Sequence, residues 1–337
     1  MSKTSLDHFL ERENLAPRDF SGDVYFKPDY AALYGEAFEF SFREGGRVFH
    51  TLAVKTSVAN TPFFDLQTPY GYGGFSTNSN DEGFLQRALN ALKSKAIEQK
   101  IIAFFIRFHP FDENLNLYQK HLNFFKKERQ IVIVPTARPL AHIRRDYNPR
   151  IKSYVRKARV ELELDIVEQG QAWDELERFH ALYTQTMRRT GAGEFYFFDR
   201  VYFERLLKLE QNLLLKASFK GEILAYASFF MGRNFAYYHL SANSHQKNAN
   251  AALLDYFFEL CHQRGIAFAL LGGGVSDGDD LFYFKQRFST LFGHFHIGGL
   301  VCDEEAYRAL SQGFDNNFFL KYRHQNGGGG GRIRAFF

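Results

Sequence analysis

Apolar and polar side chains alternate along two neighbouring segments near the start of the chain. Residues 37–43 and 47–54 both alternate with a period of two, and a glycine-rich turn, residues 44–46, lies between them. A period of two places one set of side chains on each face of a strand, and turns of this kind join adjacent strands. The pattern predicts a β-hairpin, and the apolar run 63–66 predicts a further strand.

The periodicity then changes. Residues 68–74 contain three glycines and a proline and predict a loop. Residues 82–99 carry apolar side chains at helical spacing, and residues 101–107 form a short, almost continuous apolar run, so we expect a helix followed by a buried strand. The apolar face of the predicted helix comprises Phe84, Leu85, Ala88, Leu89, Leu92 and Ala96.

The same order of elements recurs in the second half of the chain. Helices are predicted at 149–159 and 173–188, with a strand at 161–167 between them. After these, the patterns predict a hairpin of two strands at 213–219 and 223–230, a strand at 235–241 and a polar loop at 242–248. A helix at 250–264 and a strand at 266–271, which ends at three glycines, follow. The recurrence indicates an ancient duplication. We expect an α/β (α+β) fold with mixed sheets flanked by helices, in which residues 1–145 and 146–326 form two domains and residues 327–337 form a flexible glycine-rich tail.

Composition narrows the classes of partner. The net charge of the 337 residues is only +4, which is lower than a protein that wraps duplex DNA usually carries, so we expect no DNA partner. The two cysteines, Cys261 and Cys302, lie far apart and lack the spacing of metal ligands, so neither a disulfide nor a metal site is expected. The polar N-terminus and the absence of a run of about 18 apolar residues predict a cytoplasmic chain without an integral membrane segment.

A candidate donor site lies where the predicted strand 235–241 leads into the next helix. A helix N-terminus offers backbone N–H groups and the positive end of a dipole, which suit a phosphate or carboxylate. In GNAT acyltransferases this place carries an Arg/Gln-x-x-Gly-x-Gly/Ala signature that binds acyl-CoA, and the sequence from Gln246 to Ala251 resembles it, with Ala249 in place of the first glycine. Close approach of a pyrophosphate is harder without that glycine. An ordinary polar loop with a helix cap is the alternative.

Several motifs in a fixed order resemble the Fem family of aminoacyltransferases and GNAT-like relatives. They are Thr-Pro-Tyr-Gly-Tyr-Gly-Gly at 68–74, Asn-Pro-Arg-Ile-Lys-Ser-Tyr-Val-Arg-Lys-Ala at 148–158, Tyr-His-Leu-Ser-Ala-Asn at 238–243, Ala-Leu-Leu at 252–254, Leu-Gly-Gly-Gly at 271–274 and Asp-Leu-Phe-Tyr-Phe-Lys-Gln-Arg-Phe at 280–288. The resemblance implies two GNAT-like domains and transfer of an amino acid from aminoacyl-tRNA to an amine. The long coiled-coil insertion of some members is absent from this sequence.

The resemblance makes Lys285 the first candidate for catalysis. In the family, the lysine of this Phe-Lys motif is implied to stabilise charge at the transferring carbonyl, and Phe284 would lie beside it at the donor site. A surface lysine is the alternative. His239 could relay a proton from the attacking amine, or could be a satisfied core histidine. Asn243 and Asn250 flank the predicted loop and are candidate donor-binding residues together with Gln246.

Glycines and acidic residues between 272 and 280 add two further possibilities. Gly272, Gly273 and Gly274 would let backbone approach the donor closely, or would simply form a tight turn. Asp277, Asp279 and Asp280 lack the register of a calcium loop, so a solvated loop is expected rather than a metal site.

Candidate acceptor-binding residues come from two places. Arg150, Lys152 and Arg156 belong to the densest basic stretch, and residues 152, 156 and 159 share a helix face that could bind phosphates of a nucleotide-linked acceptor or of tRNA. A solvated helix face is the alternative. Tyr70 and Tyr72 could line an acceptor groove or cap the core of the first domain.

These observations favour an enzyme that forms an amide by moving an aminoacyl or acyl group onto an amine of a cell-envelope precursor. We expect residues 1–145 to serve the acceptor and residues 146–326 the donor, with no tightly bound cofactor. The donor would be aminoacyl-tRNA or acyl-CoA as a co-substrate, and the expected partners are a nucleotide- or lipid-linked precursor and the acceptor end of tRNA. The alternatives are an acyl-CoA-dependent N-acyltransferase acting on a nucleotide-linked amino sugar and a non-catalytic precursor-binding protein.

Overall fold

The structure, a computed structural model, describes residues 4–6, 9, 20, 22–274 and 278–324. The predicted tail, residues 327–337, and Asp277 lie outside the described residues. The strands are β1 (Thr4–Ser5), β2 (Glu36–Glu44), β3 (Arg47–Ser57), β4 (Phe64–Gln67), β5 (Phe75–Thr77), β6 (Ile101–Arg107), β7 (Phe124–Pro135), β8 (Glu163–Val167), β9 (Asn212–Phe219), β10 (Glu222–Met231), β11 (Phe235–Asn243), β12 (Phe268–Gly272) and β13 (Leu291–Val301).

Ten α-helices occur within the described part of the chain. They are α1 (Pro28–Ala31), α2 (Glu82–Glu98), α3 (Leu115–Gln119), α4 (Leu140–Arg145), α5 (Pro149–Glu161), α6 (Ala172–Arg189), α7 (Arg200–Lys208), α8 (Ala249–Gln263), α9 (Asp280–Lys285) and α10 (Glu304–Ser311). The helices and strands predicted from the sequence patterns are all present, with ends that differ by a few residues.

The chain forms two compact units. Unit 1 comprises Met1–Leu15 and Arg129–Gly293, and unit 2 comprises Ala16–Glu128 and His294–Phe337. The chain therefore passes from one unit to the other within β7 and returns within β13. Each unit contains its own hydrophobic core.

In unit 1 the strands are ordered β7-β12-β11-β10-β9-β8. All neighbours in this series are antiparallel except β11 and β12, which are parallel and are joined by α8. Helix α8 packs its apolar face into the core, and each fully buried leucine or phenylalanine contributes about 1.5–3 kcal/mol. Its buried side chains include those predicted to share one face, Leu253, Leu254, Phe257 and Cys261.

Unit 2 has the same internal plan. Its strands are ordered β2-β3-β4-β6-β13, β5 pairs with β3, and the parallel pair is β4 and β6. Helix α2 lies between these two parallel strands along the chain and buries the whole apolar face predicted for it. Both units thus place a helix between the two strands of a parallel pair whose other neighbours in the series are antiparallel, and β1 adds a short parallel pairing with β13. These mixed sheets confirm the predicted mixed α/β class.

The two hairpins have the turns that their sequences predict. Gly45 and Gly46 have φ angles of +53° and +81°, and Lys220 and Gly221 have φ angles of +52° and +80°. Two successive positive φ angles define the tight turn whose twist matches that of antiparallel strands. The turns therefore fix the register of β2 with β3 and of β9 with β10.

Candidate functional site

The parallel strands of unit 1 separate soon after they meet. Strands β11 and β12 pair over only three residues, the last pair being Tyr237 with Leu270. Beyond this point β11 continues to Asn243 beside β10, whereas Gly272 at the end of β12 pairs with Val132 of β7. A gap therefore opens between β11 and β12. Backbone groups along such a gap need partners other than the neighbouring strand.

Lys285 supplies a charge at this gap. It is the last residue of α9 and is only 7% exposed. Its Nζ donates a hydrogen bond of 2.7 Å to the carbonyl oxygen of Gly273, and it lies 5.5 Å from the centre of the Tyr238 ring. Gly273 follows β12 and Tyr238 is the first residue of β11 beyond its pairing with β12, so the ammonium bridges the strands where they separate. Burial lowers the pKa of Lys285 to about 8, and the attraction of Asp279 opposes this shift.

Internal packing accounts for the glycines beside Lys285. Gly272 has a φ angle of +73°, which favours glycine. A Cβ atom on Gly273 would lie 2.8 Å from the carbonyl oxygen of Gln130, and one on Gly274 would lie 2.0 Å from Oδ1 of Asp279. These close approaches fit the tight-turn alternative. The donor-binding role of the three glycines stays a prediction.

The loop before α8 has an unusual backbone. His245, Lys247 and Asn248 have φ angles of +61°, +50° and +55°, although none is a glycine. Left-handed conformations cost such residues about 1–2 kcal/mol each, and strain of this kind is concentrated at functional sites. Asn248 is the N-cap of α8, but its side chain makes no capping hydrogen bond in the described structure. Gln246 is exposed in this loop.

Asn243, the last residue of β11, is held by α6. Its carbonyl oxygen accepts a hydrogen bond of 2.6 Å from Arg189, and its N–H donates one of 3.0 Å to Oγ1 of Thr186. Its side-chain oxygen accepts from the N–H of His245 at 3.1 Å. Asn243 therefore anchors the start of the strained loop.

Asn250, in the first turn of α8, connects the loop to the gap. Its Nδ2 donates a hydrogen bond of 3.3 Å to the hydroxyl of Tyr238, which in turn donates to Oγ of Ser241 at 2.5 Å. The Oδ1 atom of Asn250 is buried and has no hydrogen-bond partner within the described residues. An unsatisfied buried acceptor costs about 1–3 kcal/mol. This atom is thus available to accept a hydrogen bond from a ligand or a water molecule.

His239 lies on the other side of β11. It is the extra residue of a β-bulge, since Leu240 pairs with Ser228 and Tyr238 pairs with Phe229. Its Nε2 is 2.7 Å from the hydroxyl of Tyr202 in α7, and burial lowers its pKa to about 3. An imidazole with that pKa is a weak base, so the arrangement fits the alternative of a satisfied histidine. The proton relay stays a prediction.

Phe284 lies next to Lys285 in α9 and is half-buried. Its ring packs edge-on against Phe288, with 5.5 Å between the ring centres. Phe288 is fully buried in the core of unit 1. Phe284 therefore holds α9 against the core, and its predicted contact with a donor stays a prediction.

The basic stretch divides into paired and exposed residues. Arg144 and Arg159 form ion pairs with Asp255 and Glu259 of α8. Arg159 is thus turned towards α8. This differs from the predicted shared face of residues 152, 156 and 159, because the guanidinium of Arg159 donates a hydrogen bond to Glu259 and lies 3.7 Å from the buried carboxylate of Asp255.

The three predicted acceptor-binding residues of α5 differ in their surroundings. Arg150 is exposed and its Nε donates to the hydroxyl of Tyr154 at 2.6 Å, while Nζ of Lys152 donates to the carbonyl oxygen of Arg145 at 2.8 Å. Arg156 is exposed. The guanidinium groups of Arg150 and Arg156 are therefore accessible to an anionic ligand.

In unit 2 the loop 68–74 closes the gap between its parallel strands. The N–H of Thr68 donates to the carbonyl oxygen of Phe105, Oγ1 of Thr68 accepts from the N–H of Arg107, and Gly73 forms a bridge with Phe108. Gly71 touches the ring of Tyr25, where a Cβ would lie 2.4 Å away. The loop is therefore packed tightly into unit 2.

The two tyrosines of this loop are enclosed to different degrees. Tyr72 is only 7% exposed and packs near Tyr25 and His109, which fits the alternative of a core cap. Tyr70 is half-buried, and its carbonyl oxygen accepts a hydrogen bond from Tyr30. Their role in acceptor binding stays a prediction.

Three features of unit 1 go beyond what the sequence patterns predict. The first feature is the contact of Tyr238 with Lys285, which the sequence motif containing Tyr238 does not indicate. The second feature is Asp279 as a helix cap. A sequence pattern could have indicated this role, since an aspartate directly before an apolar helix is typical of a helix start. A cleft of about 600 Å³ lies between α6 and the β9–β10 hairpin and is lined by Arg178, Ala181, Leu182, Gln185, Gly221, Ile223 and Tyr226.

Metal-binding clusters and membrane-spanning helices are both absent from the described part of the chain. Among those residues, no group of three or more His, Cys, Asp or Glu side chains is arranged to hold a metal ion. No helix within the same residues is both long enough and apolar enough to span a bilayer.

Comparisons with known proteins identify the fold. Neither the family models nor the curated proteins include a match to this sequence. Among solved structures, FemX superposes with a TM-score of 0.69 at 15% identity, over 92% of this chain and 98% of that chain. L-PGS from Bacillus licheniformis gives a TM-score of 0.56 at 16% identity, over 88% of this chain and 90% of that chain.

The C-terminal domain of a putative lysylphosphatidylglycerol synthetase from Agrobacterium fabrum gives a TM-score of 0.52 at 17% identity, over 83% of this chain and 89% of that chain. The fold of this chain is similar to that of FemX. This similarity confirms the resemblance to Fem and GNAT-like proteins, and the tandem fold class expected from it, at the level of the fold.

Proposed function

We propose that this chain is a transferase that moves an aminoacyl or acyl group onto an amine of a cell-envelope precursor and forms an amide. The observation that carries the proposal is the buried ammonium of Lys285, fixed between Gly273 and Tyr238 at the gap between β11 and β12. The fold, which is similar to those of FemX and L-PGS, supports the same class of reaction. We propose unit 1 as donor and catalytic side and unit 2 as acceptor side. The bounds of these units differ from the predicted domains 146–326 and 1–145, because residues 1–15 and 129–145 belong to unit 1 and residues 294–326 to unit 2.

The reaction needs no covalent enzyme intermediate. The neutral amine of the acceptor attacks the carbonyl carbon of the donor ester or thioester, and a tetrahedral oxyanion forms. Lys285 stabilises that oxyanion, because a fixed positive charge in a site that excludes water is worth several kcal/mol. The intermediate collapses when the C–O or C–S bond breaks, and the proton lost by the amine is taken up by the leaving oxygen or sulfur.

We propose aminoacyl-tRNA as the donor. FemX and a putative lysylphosphatidylglycerol synthetase are among the proteins of similar fold, and Ala249 stands where acyl-CoA enzymes of this fold carry a glycine. The exposed guanidinium groups of Arg150 and Arg156 suit the phosphates of the tRNA acceptor end or of a nucleotide-linked acceptor. The donor is a co-substrate rather than a tightly bound cofactor, and the reaction would take place in the cytoplasm.

Acyl-CoA is the second candidate donor, and the start of α8 favours it. The strained residues His245, Lys247 and Asn248 lie at the N-terminus of a 15-residue helix. Such a terminus attracts a pyrophosphate. In this case the acceptor would be a nucleotide-linked amino sugar.

The test compares both donors with the same protein. Binding of acetyl-CoA is followed by thermal shift, and retention of mixed aminoacyl-tRNA is followed by filter binding at moderate salt. Release of labelled amino acid from tRNA, or of free CoA thiol, is then measured in the presence of a nucleotide-linked precursor fraction. We expect tRNA-dependent transfer, and a thermal shift with acetyl-CoA alone would replace it with the second candidate.

Lys285→Ala separates catalysis from binding. We expect it to lower transfer by about 100-fold, the cost of losing one group that stabilises an oxyanion, and to leave donor retention intact. The control is Lys208→Ala, because Lys208 is an exposed lysine of the same unit. Full transfer by Lys285→Ala would refute the catalytic role. Binding of precursor without any transfer by the unaltered protein would favour a non-catalytic binding protein.

A further inference from the structure

The start of α9 depends on Asp279. Oδ1 of Asp279 accepts a hydrogen bond of 2.8 Å from the N–H of Phe282, which makes Asp279 the N-cap of the helix. Helix α9 has only six residues and ends at Lys285. Replacing a capping aspartate with alanine destabilises the first turn of a helix, which is a large part of so short a helix. The direction of Lys285 therefore depends on this cap.

The same carboxylate is packed against the glycine run that binds Lys285. A Cβ atom on Gly274 would lie 2.0 Å from Oδ1 of Asp279, so glycine is required for this approach. The preceding residue, Gly273, supplies the carbonyl oxygen that accepts from Lys285. Asp279 thus contacts both ends of the arrangement: the glycine run that holds the ammonium, and the helix that carries it.

The charges around Lys285 come from three elements. Asp279, at the start of its own helix, contributes a carboxylate that attracts the ammonium. Strand β11 contributes Tyr238, whose pKa is raised by burial, so the phenol stays neutral. Strand β7 contributes Arg129, whose guanidinium donates to the carbonyl oxygen of Gly274 at 3.1 Å. Among these three groups, Asp279 is the anion that offsets a buried cation.

We infer that Asp279 is a positioning residue for the proposed transfer: it directs Lys285 through the helix cap and keeps its ammonium charged through its carboxylate. The inference rests on the proposed function of Lys285 as the group that stabilises the oxyanion. Asp279 raises the pKa of Lys285 against the effect of burial. Removing its charge therefore lowers the pH at which Lys285 loses its proton.

The experiment separates charge from capping. Asparagine caps a helix as well as aspartate does, so Asp279→Asn removes the charge and keeps the cap. Asp280→Asn is the matched control, because Asp280 is an exposed aspartate one residue further along and its replacement makes the same change of net charge. Competitive labelling of the amines with acetic anhydride between pH 6 and 11, read by mass spectrometry, follows the titration of Lys285 without any substrate.

We expect Asp279→Asn to shift the labelling curve of Lys285 to lower pH and to raise its labelling at pH 7, where most of Lys285 is still protonated, by about threefold relative to the control. The alkaline limb of the transfer rate should move in the same direction. Should Asp279→Asn fail to fold, Asp279→Ser offers another capping residue without charge. Identical curves for the 279 and 280 variants would overturn the inference. Because labelling needs no activity, it would still report on Asp279 if Lys285→Ala proved fully active.

Discussion

The carboxylate of Asp255, which is completely buried, accepts two hydrogen bonds from the guanidinium of Arg144, at 2.9 and 2.6 Å. The hydroxyl of Tyr147 donates a third, at 2.9 Å. Asp255 lies in α8 and Arg144 in α4, so this pair ties together two helices of unit 1. It also means that the basic stretch around α4 and α5 has a structural part as well as an exposed part.

We expect Asp255→Ala to lower the free energy of unfolding by about 3–5 kcal/mol, because it leaves the Arg144 guanidinium and the Tyr147 hydroxyl without their buried acceptor. Denaturant titration followed by circular dichroism measures the change. Glu259→Ala is the control, because Glu259 is half-exposed and pairs with the same arginines. Its loss should cost about 1 kcal/mol. Equal losses for the two variants would contradict the structural role of Asp255.

The transfer rate should fall above pH 8. Lys285 has a pKa of about 8 in the folded protein, below its ordinary value of 10.5, and its charged form is the one that stabilises the oxyanion. Because the folded state releases this proton first, the contribution of Lys285 to the free energy of unfolding rises between about pH 8 and 10.5 while the activity falls. A pH–rate profile should therefore show transfer declining in a pH range in which the ionisation of Lys285 does not lower the free energy of unfolding.

Lys285→Arg provides the control for that profile. Arginine stays protonated throughout the range, so the variant should be slower but should lack the decline above pH 8. An alkaline limb that persists unchanged in Lys285→Arg would assign the decline to a different group.

Gly274→Ala should disable the site. The added methyl would lie 2.0 Å from the Asp279 carboxylate, so the start of α9 must move. We expect a loss of about 1–3 kcal/mol in unfolding free energy and a decrease in transfer of at least about tenfold, since small misplacement of a catalytic group is costly. Gly170→Ala is the matched control, because nothing lies within 4 Å of its added methyl. Unchanged transfer by Gly274→Ala would show that the packing of Asp279 against the glycine run is dispensable.

His239→Gln tests the proton relay. With a pKa of about 3, His239 is uncharged above about pH 5, so its removal should leave the shape of the rate profile between pH 6 and 8 unchanged. The glutamine amide can still bond to the hydroxyl of Tyr202, so transfer should stay within about threefold of the original. A decrease approaching that of Lys285→Ala would restore His239 as the catalytic base.

The double variant Arg150→Ala/Arg156→Ala should weaken retention of aminoacyl-tRNA and reduce the slope of log affinity against log salt by about 2, one unit for each phosphate that is no longer neutralised. Filter binding at several salt concentrations measures this. Arg233→Ala/Arg264→Ala makes the same change of charge at two other exposed arginines, and its slope should stay unchanged. Equal slopes for the two double variants would leave α5 without a role in phosphate binding.

Local patterns were sufficient to predict β11, α8 and β12 beside the site, but not β7 or α9, the helix that carries Lys285. The period-two runs produced the hairpins at Gly45–Gly46 and Lys220–Gly221, and the apolar face of α2 is buried as its spacing predicts. These features depend on contacts between residues close in sequence, which a pattern can record. Strand β13 was not predicted, since its three glycines weaken the signal of a strand. It pairs with β6 through partners such as Ile297 and Arg107 that lie far apart in the chain.

The candidate site was predictable in part for the same reason. Lys285 was chosen because a motif contains it, but the motif does not show that Gly273 and Tyr238 fix the ammonium. That depends on where β11 and β12 separate, which is set by the partners of each strand. The helical spacing of residues 152, 156 and 159 placed Arg159 on an exposed face. The carboxylates of Glu259 and Asp255, far away in the sequence, turn it inward.

The separation of β11 and β12 in unit 1 has a counterpart in unit 2, where the N–H of Thr68 donates to the carbonyl oxygen of Phe105 and Gly73 forms a bridge with Phe108 beyond the parallel strands. The described residues of unit 1 show no such closure, and the side chain of Lys285 lies there instead. Two units with the same internal plan therefore differ at the gap between their parallel strands, and in the proposed function it is unit 1 that admits the reacting group. Under the proposed division of roles, substitutions in unit 2 change which acceptor is chosen and substitutions in unit 1 change the chemistry of transfer, so the two properties can evolve in separate parts of the gene.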